Sequence, residues 1–86
     1  MIYELPVSNV GEEAVCLFLE PLGGDYWLGP EETFVVRAEA EADPRFSISS
    51  MPGYVIVWIN ESDPFQVKVV DQATGEEVDC GRGRLS

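Results

Sequence analysis

The 86-residue chain has no histidine, two cysteines, and five lysines and arginines against sixteen aspartates and glutamates. Each scarcity removes a class of chemistry. Without histidine there is no Ser-His-Asp or Cys-His nucleophile and no zinc or copper site built on imidazole. Cys16 and Cys80 are too far apart in sequence for zinc-finger spacing. Neither G-x-x-x-x-G-K-[ST] nor G-x-G-x-x-G occurs, so no phosphate-cradling loop is expected. A formal net charge of -11 repels phosphate backbones, which argues against nucleic acid as a partner. The segment Gly81-Arg82-Gly83-Arg84 is too short, and too acidic in context, to act as a basic arm. Long hydrophobic runs are also missing. The two longest, residues 14–19 and 54–59, are six residues each, well short of the roughly 20 needed to cross a bilayer. No membrane association is expected. Met1-Ile2-Tyr3-Glu4-Leu5-Pro6 shows no basic n-region and no apolar h-region, so a cytoplasmic chain with reduced thiols is expected.

What the chain does have is enough apolar material, 45% of residues, to fill one thin core. Its length sets a single domain over residues 1–86, with residues 81–86 expected to fray. Strand-forming runs recur with turns between them every eight to twelve residues. A first strand over residues 2–10 carries Pro6, which suits a sheet edge, and Asn9-Val10-Gly11-Glu12-Glu13 reads as a turn. Residues 14–20 read as a central strand ended by Pro21. Tyr26-Trp27-Leu28 is a brief extended piece after the turn at Leu22-Gly23-Gly24-Asp25. Residues 33–42 begin like a helix after Pro30-Glu31-Glu32, yet Phe34, Val36, Ala38, Ala40 and Ala42 alternate with Val35, Arg37, Glu39 and Glu41. Period two favours a strand. Phe46-Ser47-Ile48-Ser49 alternates, Pro52-Gly53 turns, and residues 54–59 form the strongest strand. After a turn over residues 60–64, residues 65–69 alternate, and a last short strand is expected around residues 77–80. Seven or eight short strands predict an all-β fold, a small two-sheet antiparallel β-sandwich or a partly open barrel.

Two strands break the alternation. Residues 14–19 and 54–59 are apolar on both faces, and a strand of that kind needs cover on both sides. If Val15, Leu17, Leu19, Val55, Val57 and Ile59 face the core, then Cys16, Phe18, Tyr54, Ile56 and Trp58 face away from it. Either the sheet curls as a barrel, or a loop such as Tyr26-Trp27-Leu28 folds over that second face, or the face meets a partner. Phe18, Trp27, Tyr54, Ile56 and Trp58 are the candidate interface residues, because aromatics are enriched at protein contacts.

Carboxylates are the remaining source of chemistry. Asp71, Glu76, Glu77 and Asp79 surround one turn, and Asp25, Glu31 and Glu32 lie in another loop. Their spacing matches no ordered cation loop, which needs oxygens at alternating positions, so they read as solvated acids on turns. A carboxylate pair can in principle do acid–base chemistry, but a domain this small has little room for a substrate cleft. No enzyme activity, no cofactor, no metal and no small-molecule ligand are expected. Asn60-Glu61-Ser62 fits the N-glycosylation pattern only as a coincidence on a turn.

Leu17-Phe18-Leu19-Glu20-Pro21, then Gly23, Tyr26, Leu28 and Pro30, followed by Phe34 and Val36, resemble a pattern found in short, uncharacterised bacterial all-β proteins. That group is built around an L-x-L-E-P-W-G turn and an extended Y-x-L-x-P-G step. Leu22 stands where its tryptophan would be and Glu31 where its glycine would be. The resemblance covers about a third of the chain and implies an all-β fold, with no activity attached. The same arrangement is similar to cupredoxin-like and immunoglobulin-like sandwiches, although the copper ligands of the former are absent. The expected role is a non-catalytic protein-binding or self-assembling module, a homodimer or a partner of another protein. The alternative is an acidic inhibitor or mimic that docks on a basic surface.

Overall fold

Alternation of large and small or charged side chains produces the layers of this fold. In the computed structural model, which describes residues 1–60 and 66–81, seven strands form two sheets. They are β1 (Ile2–Ser8), β2 (Val15–Glu20), β3 (Gly24–Leu28), β4 (Thr33–Glu39), β5 (Phe46–Met51), β6 (Tyr54–Ile59) and β7 (Val67–Asp71). One sheet has three antiparallel strands in the order β1-β4-β7, and the other has four in the order β3-β2-β6-β5. Of the strand expected over residues 33–42, residues 33–39 form, as period two requires, and residues 40–42 lie beyond its end. Phe34, Val36 and Ala38 point inward and are fully buried, while Val35, Arg37 and Glu39 point away. The inner faces meet in one core: Phe34, Val36 and Val69 from the smaller sheet against Leu17, Leu19, Leu28, Val57 and Ile59 from the larger.

Four expectations are corrected. The sandwich is not wholly antiparallel: β2 and β6 run parallel, with Cys16 opposite Tyr54 and Leu19 opposite Val57. Both strands are central and apolar on both faces, the composition a parallel pair favours. Of the two architectures expected, the sandwich is the one formed, since the sheets stay separate. The expected strand at residues 77–80 is reduced to one bridge, Glu77 to Val70, so seven strands form among the described residues. Tyr26-Trp27-Leu28 is not a covering loop, because it belongs to β3 and pairs with β2. β1 also stops at Ser8, short of residue 10, and the chain then turns around Asn9. Gly81 is tied down, its N–H donating to the Asp25 carbonyl at 2.7 Å; the rest of the expected frayed tail and most of the turn at residues 60–64 lie outside the described residues.

Turn chemistry holds the layers in register. Gly53 takes φ 85° in the two-residue Pro52-Gly53 turn between β5 and β6, a left-handed conformation that favours glycine. Gly24 opens β3 beside the Tyr26 ring, where an added Cβ would come 2.9 Å from Tyr26 Cε2. Asn9 is the main polar tie. It is 4% exposed, and its Nδ2 donates to the carbonyls of Glu13 (2.7 Å), Leu28 (3.1 Å) and Gly29 (3.2 Å). Its Oδ1 accepts from the Gly11 N–H at 3.0 Å.

Candidate functional site

Directly paired residues in a sheet share a face, so register decides what the outer side of the four-stranded sheet presents. One row across it is Trp27, Cys16, Tyr54 and Met51; the next is Asp25, Phe18, Ile56 and Ser49; the third contains Glu20, Trp58 and Ser47. All five candidate interface residues, Phe18, Trp27, Tyr54, Ile56 and Trp58, therefore fall on one face. None comes from the opposite sheet.

Neighbouring side chains order this surface. The Phe18 and Tyr54 rings meet edge to face, with centroids 5.7 Å apart and planes at 83°, a favourable arrangement of the ring quadrupoles. Trp27 Nε1 donates to Asp25 Oδ2 at 2.9 Å, and the Cys80 thiol donates to Asp25 Oδ1 at 3.5 Å. Asp25 thus fixes the indole and holds Cys80 against β3. Tyr54 donates its hydroxyl hydrogen to the Met51 sulfur. Between Trp27 and Tyr54, Cys16 is only 2% exposed although it faces outward; neither Cys16 nor Cys80 is in a disulfide. Trp58 is 44% exposed and Met51 is also exposed, while Phe18, Trp27, Tyr54 and Ile56 are half-buried.

Charge is distributed unevenly along the chain. The fifteen residues 46–60, which hold β5 and β6, contain no charged side chain, whereas all 21 charged residues lie in the other 71 positions. Asp25 and Glu20 mark the opposite border of the outer face. The sequence signalled the aromatics but not Asp25 or Met51, whose roles depend on cross-strand register.

The outer face of the smaller sheet is different in kind. Arg37 pairs with Glu4 at 2.8 Å and lies across from Lys68. Beside them a groove of about 320 Å³ is lined by Ile2, Arg37, Glu39, Gln66, Lys68 and Glu77. Two cations and two carboxylates line it, so its chemistry selects no one sign of ligand. An exposed pair such as Glu4–Arg37 contributes at most about 1 kcal/mol.

The acidic turns are structural. Asp71 is buried and its Oδ1 accepts from the Ala73 N–H at 2.9 Å, while Glu32 Oε1 accepts from the Gly29 N–H at 2.6 Å. Among the described residues, no three Asp, Glu or Cys side chains gather as a cation's ligands. Likewise, no helix among them is long and apolar enough to cross a membrane.

Acids leave one titration signature. Burial pushes the Tyr26 phenol above its ordinary value, and the nearby charges of Cys80, Glu77 and Asp25 push it the same way. An unfolded phenol ionises near pH 10 while the folded one keeps its proton, so stability should be lost as pH rises from about 10 through the folded value. Absorbance titration should show one tyrosine ionising late, and Glu77→Gln should bring that midpoint down. An unmoved midpoint would mean that Glu77 does not act on the phenol.

No family model matches the chain, and no curated protein or solved structure matches it either.

Proposed function

We propose that this chain is a non-catalytic binding module that assembles, with itself or with another protein, through the outer face of its four-stranded sheet. The observation that carries this reading is the gathering of Phe18, Trp27, Tyr54, Ile56 and Trp58 on one face beside a fifteen-residue stretch without charge. Aromatic side chains on a rigid sheet lose little conformational entropy on contact, and the absence of charge lowers the desolvation cost. Trp58 is the expected anchor, since it offers the largest exposed ring on the face.

Solution mass by light scattering, at low and high salt, tests this reading. The wild type should form an oligomer that survives high salt, and Trp58→Ala should weaken it at least about tenfold, as loss of a hot-spot tryptophan does. Because Trp58 is half exposed, the substitution should leave the fold intact by circular dichroism. The second reading, docking of the acidic surface on a basic partner, rests on the net charge of -11. It predicts a monomer in isolation and partner binding that weakens steeply with salt.

A further inference from the structure

Four strands lie at sheet borders, and three of them are guarded. β1 carries Pro6 and Glu4, the residues that blunt an edge by removing a donor and adding charge. The border of β7 is covered by the segment after it: Val70 bridges Glu77, Asp71 N–H donates to the Glu76 carbonyl, and Val78 N–H donates to the Val69 carbonyl. On β3 the Asp25 carbonyl accepts from Gly81. β5 has none of these protections among the described residues. It is Phe46-Ser47-Ile48-Ser49-Ser50-Met51, with no proline and no charge, and every residue after Phe46 is exposed. Ile48 is 55% exposed.

We infer that β5 is the seam along which a second copy of this chain adds, joining two four-stranded sheets into one of eight strands. This rests on the self-assembly reading above but places the contact at the strand edge that borders the outer face rather than on the face itself. The occupant follows from charge. Each copy carries -11, so two copies repel through most of their surfaces, and the β5–β6 hairpin is the stretch where neither brings a charge. A basic partner would be drawn to the carboxylates instead.

Backbone geometry selects the register. Met51 and Tyr54 close the two-residue turn, and residues of an antiparallel strand then alternate between aiming N–H and C=O at their neighbour and away from it. Ser50, Ile48 and Phe46 are the residues that aim away from β6. A two-fold axis at Ile48 pairs Ile48 with its own copy and Phe46 with Ser50 of the second copy, so all three residues find partners. Moving the axis to Ser49 would bring Pro52, which has no N–H, opposite Phe46. The Ile48 register also joins the two exposed isoleucine side chains on the core side. On the outer side it sets Ser47 against Ser49 of the second copy, small residues over which the Trp58 ring can reach.

The test needs one charge variant and one measurement on the unaltered protein. Ile48→Lys places an ammonium on the seam, away from the outer face. It should reduce the scattering mass to that of one chain while circular dichroism stays unchanged. In the wild type, hydrogen exchange at the Phe46, Ile48 and Ser50 amides should slow as concentration rises through the dimerisation range. That second measurement stands even if the variant fails to fold. A dimer weakened by Trp58→Ala but kept by Ile48→Lys, with concentration-independent exchange at those amides, would overturn the seam and leave the outer-face reading in place. A wild type that is one chain at every concentration and salt would overturn the seam and self-assembly together.

Discussion

Phe34→Ala should remove most of the folding stability of this protein, about 3–5 kcal/mol for a buried phenylalanine cut back to a methyl group. A chain of 86 residues has roughly 4–13 kcal/mol in total at the usual stability per residue. Phe34 is 1% exposed, sits at the start of the central strand of the smaller sheet, and packs into the cluster formed by Leu17, Leu19, Leu28 and Val57. Its neighbours across β1 and β7 are Val7 and Asp71, each fixed by its own strand, so the cavity has few ways to collapse. Val35→Ala, one residue along and on the opposite face, should cost under about 1.5 kcal/mol. Urea unfolding of both variants checks the contrast: the midpoint should fall far for one and little for the other, with the slope unchanged. Equal losses would mean that the core does not lie between the sheets at this point.

Asn9 should be the most sensitive polar position. Asn9→Ala deletes the group that donates to the Glu13, Leu28 and Gly29 carbonyls and accepts from Gly11. The buried Leu28 carbonyl left without a bond costs about 1–3 kcal/mol. The part-buried partners cost less, because water can reach them, so a total near 2–4 kcal/mol is expected. Asn9→Asp should be worse at neutral pH, because it turns a carboxylate toward carbonyl oxygens. Its folded state then favours the protonated acid, so this variant should regain stability relative to the wild type as pH falls through the folded value. Thermal unfolding between pH 4 and 7 separates the two. If Asn9→Asp and Asn9→Ala lose the same amount at every pH, the donor side of the amide is not what holds the β3–β4 turn.

Strand identity was largely legible because it is local. The alternation of Phe34, Val36 and Ala38 with Val35, Arg37 and Glu39 decided strand over helix, and the turn at Pro52-Gly53 placed β5 beside β6. What failed was non-local. The parallel pairing of β2 with β6 joins residues that sit far apart in sequence, and nothing in either run states which direction the partner takes. The short run at residues 77–80 looked like a strand and instead caps the β7 border with one bridge. Asn9 read as an ordinary turn residue. The Asn-x-Gly spacing was the available signal, but its burial depends on residues 28–29 arriving from another part of the chain. The five outer-face residues were found from doubled apolar faces and aromatic content, while their assembly into one surface required the register.

Along the chain, the strands visit the smaller sheet once, the larger sheet twice, the smaller once, the larger twice, and the smaller once more. During vectorial synthesis, the first half can therefore make only two separate two-stranded ribbons, β1 with β4 and β2 with β3. Such ribbons are marginal in water. The larger sheet gains its second central strand at β6 and the smaller its third strand only at Asp71. A nascent chain stalled before that residue holds its larger sheet under a covering layer that lacks one strand, which makes the emergence of β7 the event that completes this sandwich.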